Sequence, residues 1–312
     1  MNGQYDVVVI GGGIAGLSAA LTTARLGHAT AVITEGVPGG QLLSIEHIDG
    51  VPGFPEGVAG YDLCPMTQEQ CDDAGVEFLG EACTALSADG EQWKLAMASG
   101  DVTARAVIIA TGTALAKLDV PGEQEFFGKG VSDCASCDGP LLRNKVAVVV
   151  GGGDSAMQEA LALADHVSKV ILICNSNELE GQIDYKKRVS ESEVIEKHFS
   201  KTVTEIIGGD GVTAVKVKDI NNGDLERMET AAVFVFSGLI PNTAFLDGLL
   251  PLDEKGNILV DSGLRSSLKG LLAVGNVRSD TAYRAAGAMG DGAVAANAVD
   301  HYLNNGKWSE AN

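Results

Sequence analysis

Positive charge is scarce in this chain of 312 residues: 22 lysines and arginines stand against 42 aspartates and glutamates, a net charge of −20. So acidic a surface excludes nucleic-acid binding driven by counterion release and excludes a polybasic membrane patch. Small molecules and neutral-to-basic proteins remain as partners. Long hydrophobic runs are also missing. The longest uncharged stretch, Val7 to Ala24, has the length of a membrane span, but four glycines interrupt it and no cationic segment precedes it. It reads as strand, turn and helix. No secretory signal, lipidation site or terminal anchor is visible, so the cytoplasm is the expected compartment. The six cysteines are too few and too irregularly placed for a disulfide scaffold in a chain this long.

What is present points to two nucleotide-binding folds. At 312 residues the chain exceeds the reach of one ordinary core, and 45% hydrophobic with 21% charged residues is the composition of a folded protein. Glycine is the excess, 40 residues, roughly twice the ~7% average. One pattern of apolar strand, glycine turn and alanine-rich helix occurs twice. Its first copy is Tyr5 to Ile10, Gly11-Gly-Gly-Ile-Ala-Gly16 and Leu17 to Leu26. The second is Lys145 to Val150, Gly151-Gly-Gly-Asp-Ser-Ala156 and Met157 to Ala164. Near-continuous Val/Ile runs suit parallel strands buried on both faces, and the helix supplies the crossover between them. The fold class is therefore α/β, with two Rossmann-like nucleotide-binding domains. Strands are predicted at 93–97, 102–110, 212–218, 231–236 and 271–275, with a long Ala/Gly helix from Ala285 to about Tyr302.

Gly11, Gly13 and Gly16 stand at the spacing where a tight turn, a close approach of diphosphate and helix-to-strand packing each exclude a Cβ. Glu35 follows 22 residues after Gly13, at the end of a second strand predicted over Ala29 to Thr34, where a carboxylate accepts from ribose hydroxyls. A purely structural glycine turn is the alternative. Gly151, Gly153 and Ala156 repeat the spacing, and two such sites suggest two nucleotides between which electrons pass. After the second unit's next strand, however, come Asn175, Ser176, Asn177, Glu178 and Glu180, with no cation before Lys186. A 2′-phosphate needs an Arg or Lys there. This site reads either as one for a nicotinamide nucleotide, NADH before NADPH, or as a relic.

Cys134-Ala-Ser-Cys137 with Asp138 is a redox candidate, because close thiols exchange with a partner disulfide through a mixed disulfide. Zinc is the competing reading, but neither the other cysteines nor the five histidines offer a second paired spacing. Asp138 is either the proton donor and acceptor for thiolate chemistry or a helix-capping residue.

These residues resemble the low-molecular-weight thioredoxin reductase family, and the resemblance runs from the first strand to the last helix. The matching segments are 11–16, Gly39-Gly-Gln-Leu42, Gly53-Phe-Pro-Glu56, Ala110-Thr-Gly112, Ser132 to Gly139, 151–156 and Tyr283-Arg284. The resemblance implies a discontinuous FAD-binding domain (1–116 and 243–312), an inserted NAD(P)H-binding-like domain (117–242) carrying the CxxC, and a homodimer. It implies an FAD site drawn from Gly11, Gly13, Ala15, Gly16, Glu35, Gly40, Gln41, Leu42, Thr111, Gly112, Gly275, Asn276, Arg284 and Ala285, and a second nucleotide site from Gly151, Gly153, Asp154 and Ser155. In such enzymes Cys137 faces the flavin, Cys134 attacks the partner disulfide and Asp138 is the acid/base. Two departures stand out. Cys174-Asn-Ser-Asn177 and Glu180 replace the family's arginines for the NADPH phosphate. Gly275-Asn276 and Ala285 replace its Gly-Asp and the Gln after Tyr-Arg.

The expected activity is FAD-dependent disulfide reduction. Electrons would pass from a donor through FAD and the cysteine pair to a thioredoxin-like protein or small-molecule disulfide, with NADPH disfavoured and ferredoxin a candidate donor. The alternatives are a flavin-dependent dithiol oxidase and an FAD-holding redox regulator that does not turn over. No metal is expected.

Overall fold

The protein is described here by a computed structural model covering residues 3–308. From the N-terminus come β1 (Gln4–Ile10), α1 (Ile14–Arg25), β2 (Thr30–Ile33), α2 (Gly60–Asp73), β3 (Glu77–Leu79), β4 (Ala85–Asp89), β5 (Gln92–Ala96), β6 (Val102–Ile109) and β7 (Thr113–Leu115). The middle of the chain forms β8 (Val131–Ser132), α3 (Ala135–Asp138), β9 (Val146–Val150), α4 (Asp154–Ala164), β10 (Lys169–Ile173), α5 (Ile183–Glu191), β11 (Ile195–His198), β12 (Lys201–Gly208), β13 (Val212–Asp219), β14 (Leu225–Glu229) and β15 (Ala232–Val235). The last segment adds β16 (Leu239–Pro241), β17 (Leu271–Ala273) and α6 (Ala285–Asn305). Two units result, one from residues 1–114 and 240–312, the other from 115–239. The crossings fall within β7 and β16, which pair as a two-stranded ribbon.

The first unit is built on a seven-stranded sheet in the order β3-β2-β1-β6-β5-β4. Strand β6 serves two neighbours along one edge: its first half pairs antiparallel with β5, its second half parallel with β17. The Val7 to Ile10 run is buried on both sides, as a central parallel strand must be. Val7 and Val9 pack with Leu17, Ala20, Ala295 and Val299 of α1 and α6, while Val8 and Ile10 pack with Trp93, Leu95 and Leu246 on the other face. Period-two alternation thus divides one strand between two half-cores. The Ala/Gly composition of α6 has a packing cause, because a Cβ on Gly292 would lie 2.6 Å from Ala19 N and 2.7 Å from Ala15 O of α1.

The second unit has a five-stranded parallel sheet, β11-β10-β9-β15-β8, and a three-stranded antiparallel sheet, β12-β13-β14. Val149 and Leu172 pack with Met157, Leu163, Tyr185 and Val189 of α4 and α5. From the opposite face, Val148, Val150 and Ile173 meet Ile206, Val215 and Val217.

Besides the single turn α3, two helices lie outside the predicted set. Pro65, which lacks an amide donor, sits inside α2, yet Leu63, Cys64, Thr67 and Cys71 are buried along one face and hold the helix. Helix α5 is polar apart from exposed Ile183 and its buried anchors Tyr185 and Val189, an i, i+4 pair. Among the described residues no helix is long and apolar enough to cross a membrane.

Candidate active site

The first glycine turn lies at the carboxyl ends of β1, β2 and β6. Gly11 has φ +108, and a Cβ there would lie 2.4 Å from Ala110 O, so the turn demands glycine. Gly16 seats α1 on the strand, its missing Cβ falling 2.0 Å from Gly11 O. Gly13, the N-cap of α1, differs: a Cβ there meets nothing within 4 Å, and the first helical turn holds no acidic residue. Open space before the unpaired amides of a helix N-terminus fits a diphosphate. Exposed Glu35 follows β2 by two residues, on the same sheet edge.

Distant segments converge on this turn. Gly39 N donates to Gly12 O at 2.8 Å, and the short 3-10 helix Gly40–Ser44 follows, with Gln41 Nε2 donating to Thr113 O at 2.7 Å. Leu42 and Ala285 join the cluster around Ile14, the first residue of α1. Thr111 and Gly112 continue β6 and are tied to Asn242. Gly275 lies against Ala15, where a Cβ would come within 2.8 Å of the alanine methyl. Its amide donates to Asp291, which also takes Arg278 Nε at 2.6 Å and Nη2 at 2.9 Å. Asn276 is half-buried on the 3-10 turn of residues 275–277, and Arg284 caps α6, donating to Tyr283 O. The fourteen residues named for the first site from the sequence therefore all belong to the first unit.

The second unit holds the others. Gly153 again faces open space. Unlike α1, however, α4 opens with an acid, Asp154, whose carboxylate accepts Gln182 N at 2.8 Å. Ser155 is exposed beside it. Glu180 N donates to Gly152 O at 2.8 Å, which folds the 175–182 loop back over the turn. Cys174 donates to Gly151 O, and its thiol lies in the field of Glu180. The loop thus carries a carboxylate, and no cation, to the end of β10. The basic residues Lys186, Lys187 and Arg188 sit on α5, with Lys187 paired to Glu191 and Arg188 to Asp184, both i, i+4.

Cys134 and Cys137 form a disulfide, Cα to Cα 5.4 Å. Cys134 is the N-cap of α3, and its sulfur accepts from Cys137 N at 3.2 Å. It is 7% exposed, while Cys137 is the exposed member of the pair. Asp138 ends α3, half-buried, and makes no capping hydrogen bond to the 3-10 turn that follows. The buried acid of this site is a different one. Glu159, on the inner face of α4 and 9% exposed, accepts Ala135 N at 2.9 Å. Burial, with Asp133 adding a like charge, pushes its carboxyl up to about 7. Sequence reading passed it over, although the signal was there: an acid at an i, i+3 position on the apolar Ala156/Ala160/Leu163 face of a helix. Ser132, also unflagged, receives Cys134 N at 3.1 Å.

The remaining cysteines, 64, 71, 83 and 174, are free, and burial pushes each thiol up to about 11. They stay protonated at neutral pH and are poor nucleophiles. Among the described residues no cluster of His, Cys, Asp and Glu is arranged to hold a metal.

Comparison with known proteins agrees with this architecture. The pyridine nucleotide-disulphide oxidoreductase family profile matches residues 5–300. A thioredoxin reductase of Treponema pallidum is 36% identical over 97% of this chain and 98% of its own. The crystal structure of Lactococcus lactis thioredoxin reductase superposes with TM-score 0.93 at 34% identity, covering 96% of this chain and 99% of the other. A ferredoxin-flavin thioredoxin reductase of Clostridium acetobutylicum is 28% identical over 96% of this chain and 98% of its own, with TM-score 0.53. With two glycine-turn units, a disulfide in the CxxC and matches along nearly the whole chain, this protein is an oxidoreductase belonging to the pyridine nucleotide-disulphide oxidoreductase family.

Proposed function

We propose that the chain is a thioredoxin reductase-like enzyme that passes electron pairs from a donor, by way of FAD, to Cys134–Cys137 and on to a thioredoxin-like protein disulfide. The observation that carries this reading is the closed disulfide in the unit with the second glycine turn, on a chain whose first turn offers open space to a diphosphate. Gly13 and the α1 N-terminus would receive the diphosphate, Glu35 the ribose, and Gln41, Thr111, Asn276 and Arg284 the remainder of the dinucleotide. When bound, the flavin supplies two-electron transfer. The chain's own residues do the thiol chemistry. Opening of the pair yields two thiols, the Cys134 thiolate attacks the partner disulfide, and Cys137 resolves the mixed disulfide while Asp138 exchanges the proton. The partition into an FAD-binding domain (1–116 and 243–312) and a nucleotide-type domain (117–242) belongs to the same reading, as do a homodimer and a cytoplasmic setting.

The donor is proposed to be NADH or a non-nicotinamide reductant such as ferredoxin, with NADPH disfavoured. Supporting this, the 175–182 loop places Glu180 beside Cys174, where a 2′-phosphate would require a cation. The test is anaerobic flavin bleaching by NADH, NADPH, reduced ferredoxin or a dithiol. Rapid bleaching by micromolar NADPH refutes the donor assignment. Cysteines that remain disulfide-bonded after the flavin is reduced refute the electron path. A dithiol oxidase would instead release hydrogen peroxide when a dithiol is added in air.

A further inference from the structure

Among the described residues no cation neutralises the carboxyl group that lies beside the redox pair. Glu159 Oε2 accepts the amide of Ala135, the residue directly after Cys134, at 2.9 Å. Together with Ser132, whose hydroxyl receives Cys134 N, it holds the CxxC backbone from the inner side. Neither hydrogen bond needs an ionisable group. An amide or hydroxyl would hold Ala135 N equally well, without placing an acid at a site nine-tenths out of water.

The charged surroundings add no compensation. The segment before α3 contributes Asp133 and the N-cap Cys134, and α3 contributes Cys137 and Asp138. Helix α4 itself contributes Asp154, held at Gln182 N, and the turn after it contributes Asp165 and His166, the ring of which lies against Gly139. From α5 come Asp184, buried Tyr185, Lys186, Lys187, Arg188 and Glu191, with Arg188 over the tyrosine ring and paired to Asp184. Strand β9 carries no charge, Lys169 of β10 is paired with Glu196 of β11, and His198 takes the same glutamate, with Lys197 between them. Among the described residues Asp133 is the charged side chain whose field reaches Glu159, and it has the same sign.

We propose that Glu159 is a positioning residue whose protonation is coupled to the redox state of Cys134–Cys137, so that opening the disulfide draws a proton onto the carboxyl. In exchange with a reagent dithiol, a reagent thiolate attacks one sulfur and the Cys134–Cys137 bond breaks. The second reagent thiol then displaces the mixed disulfide. The reagent gives up an electron pair and leaves as a disulfide, and the protein is left with two sulfhydryl groups. If one of these ionises, its negative charge adds to those of Asp133 and Glu159. Moving a proton onto Glu159 removes that repulsion while the thiolate is kept. Burial raises the carboxyl into the range where this exchange takes place near neutral pH. The inference rests on the reading that the pair cycles between disulfide and dithiol.

The test uses the full-length flavoprotein, wild type and Glu159→Gln. Gln keeps an oxygen for Ala135 N but cannot ionise. The pair is equilibrated in dithiothreitol buffers from pH 5.5 to 9, trapped and counted by thiol labelling; alkylation rates of the reduced pair are followed over the same range. In wild type both profiles are expected to show an added inflection between pH 6 and 8. In the variant that inflection disappears, and alkylation near pH 7.5 is about tenfold faster, the equivalent of one pKa unit removed from the thiol. Superimposable profiles would overturn the proposal and leave Glu159 a backbone support. Wild-type profiles without an inflection between pH 6 and 8 would overturn it whether or not the variant folds. A pair that no dithiol opens at any pH removes the underlying reading and the proposal with it.

Discussion

Two glycines of one motif are expected to fail in opposite ways when replaced by alanine. At Gly16 the new methyl would lie 2.0 Å from Gly11 O and 3.2 Å from Ala110 Cβ. A carbon and a carbonyl oxygen need more than 3 Å, and the obstacle is backbone that cannot rotate away, so α1 must lift from the strand by about 1 Å; overpacking of this kind costs roughly 1–3 kcal/mol. For a unit of this size that lowers Tm by about 2–4 °C per kcal/mol, or roughly 2–12 °C in all. At Gly13, φ is −67 and a Cβ meets nothing within 4 Å, so the apoprotein loses only the N-cap preference of glycine over alanine, less than about 1 kcal/mol. The methyl there occupies the space a diphosphate would enter. Displacing one charge-assisted hydrogen bond, worth about 1.5–3 kcal/mol, weakens FAD by roughly one to two decades. The assays are thermal unfolding of the apoproteins and FAD titration followed by flavin fluorescence. If Gly13→Ala binds FAD like wild type, the diphosphate does not lie at the N-terminus of α1. If Gly16→Ala melts like wild type, close helix-to-strand contact is not what that glycine supplies.

Other perturbations separate the remaining parts of the site. Cys134→Ser is expected to abolish disulfide exchange while the protein stays yellow, since Cys134 lies in the second unit and the residues proposed to hold the dinucleotide lie in the first; undiminished turnover of a protein disulfide by this variant would remove Cys134 from the chemistry. Asn175→Arg with Ser176→Arg should strengthen NADPH by roughly two to four decades, at about 1.5–3 kcal/mol per charged hydrogen bond, measured by stopped-flow flavin reduction; no gain would mean the phosphate is read elsewhere. Stability should fall as pH rises past Glu159. The folded carboxyl is raised from 4.5 to about 7, so its contribution is complete below pH 4.5 and is lost as pH climbs through 7. The loss is on the order of 3 kcal/mol at 1.36 kcal/mol per pKa unit. Urea titrations at pH 5 and 8 on the oxidised protein should show this fall in wild type and a flatter profile in Glu159→Gln; parallel curves would contradict it.

Local chemistry was legible in the sequence where it is itself local. Glycine turns, the Val/Ile strands and the CxxC are each set by steric or covalent requirements within a few residues, so β1, α1, β9, α4 and α6 could be placed from their patterns. Helices α2 and α5 could not, because Pro65 and a polar surface argue against helix until buried anchors such as Cys71 and Tyr185 meet a partner. The sequence also marked Glu35 and the absence of arginines after β10, both fixed by distance from a strand end. It did not show that Glu180 returns to Cys174, since that depends on a hydrogen bond from its amide to Gly152 O. Nor did it single out Glu159. From sequence it is one acid among 42 in the chain, and Asp138, adjacent to the cysteines, was the natural candidate for proton chemistry. Only the packing of α3 against α4 puts one carboxyl under the disulfide and out of water while the other stays half in solvent. A carboxyl's proton affinity is set by surrounding dielectric and charge, and those come from the tertiary structure.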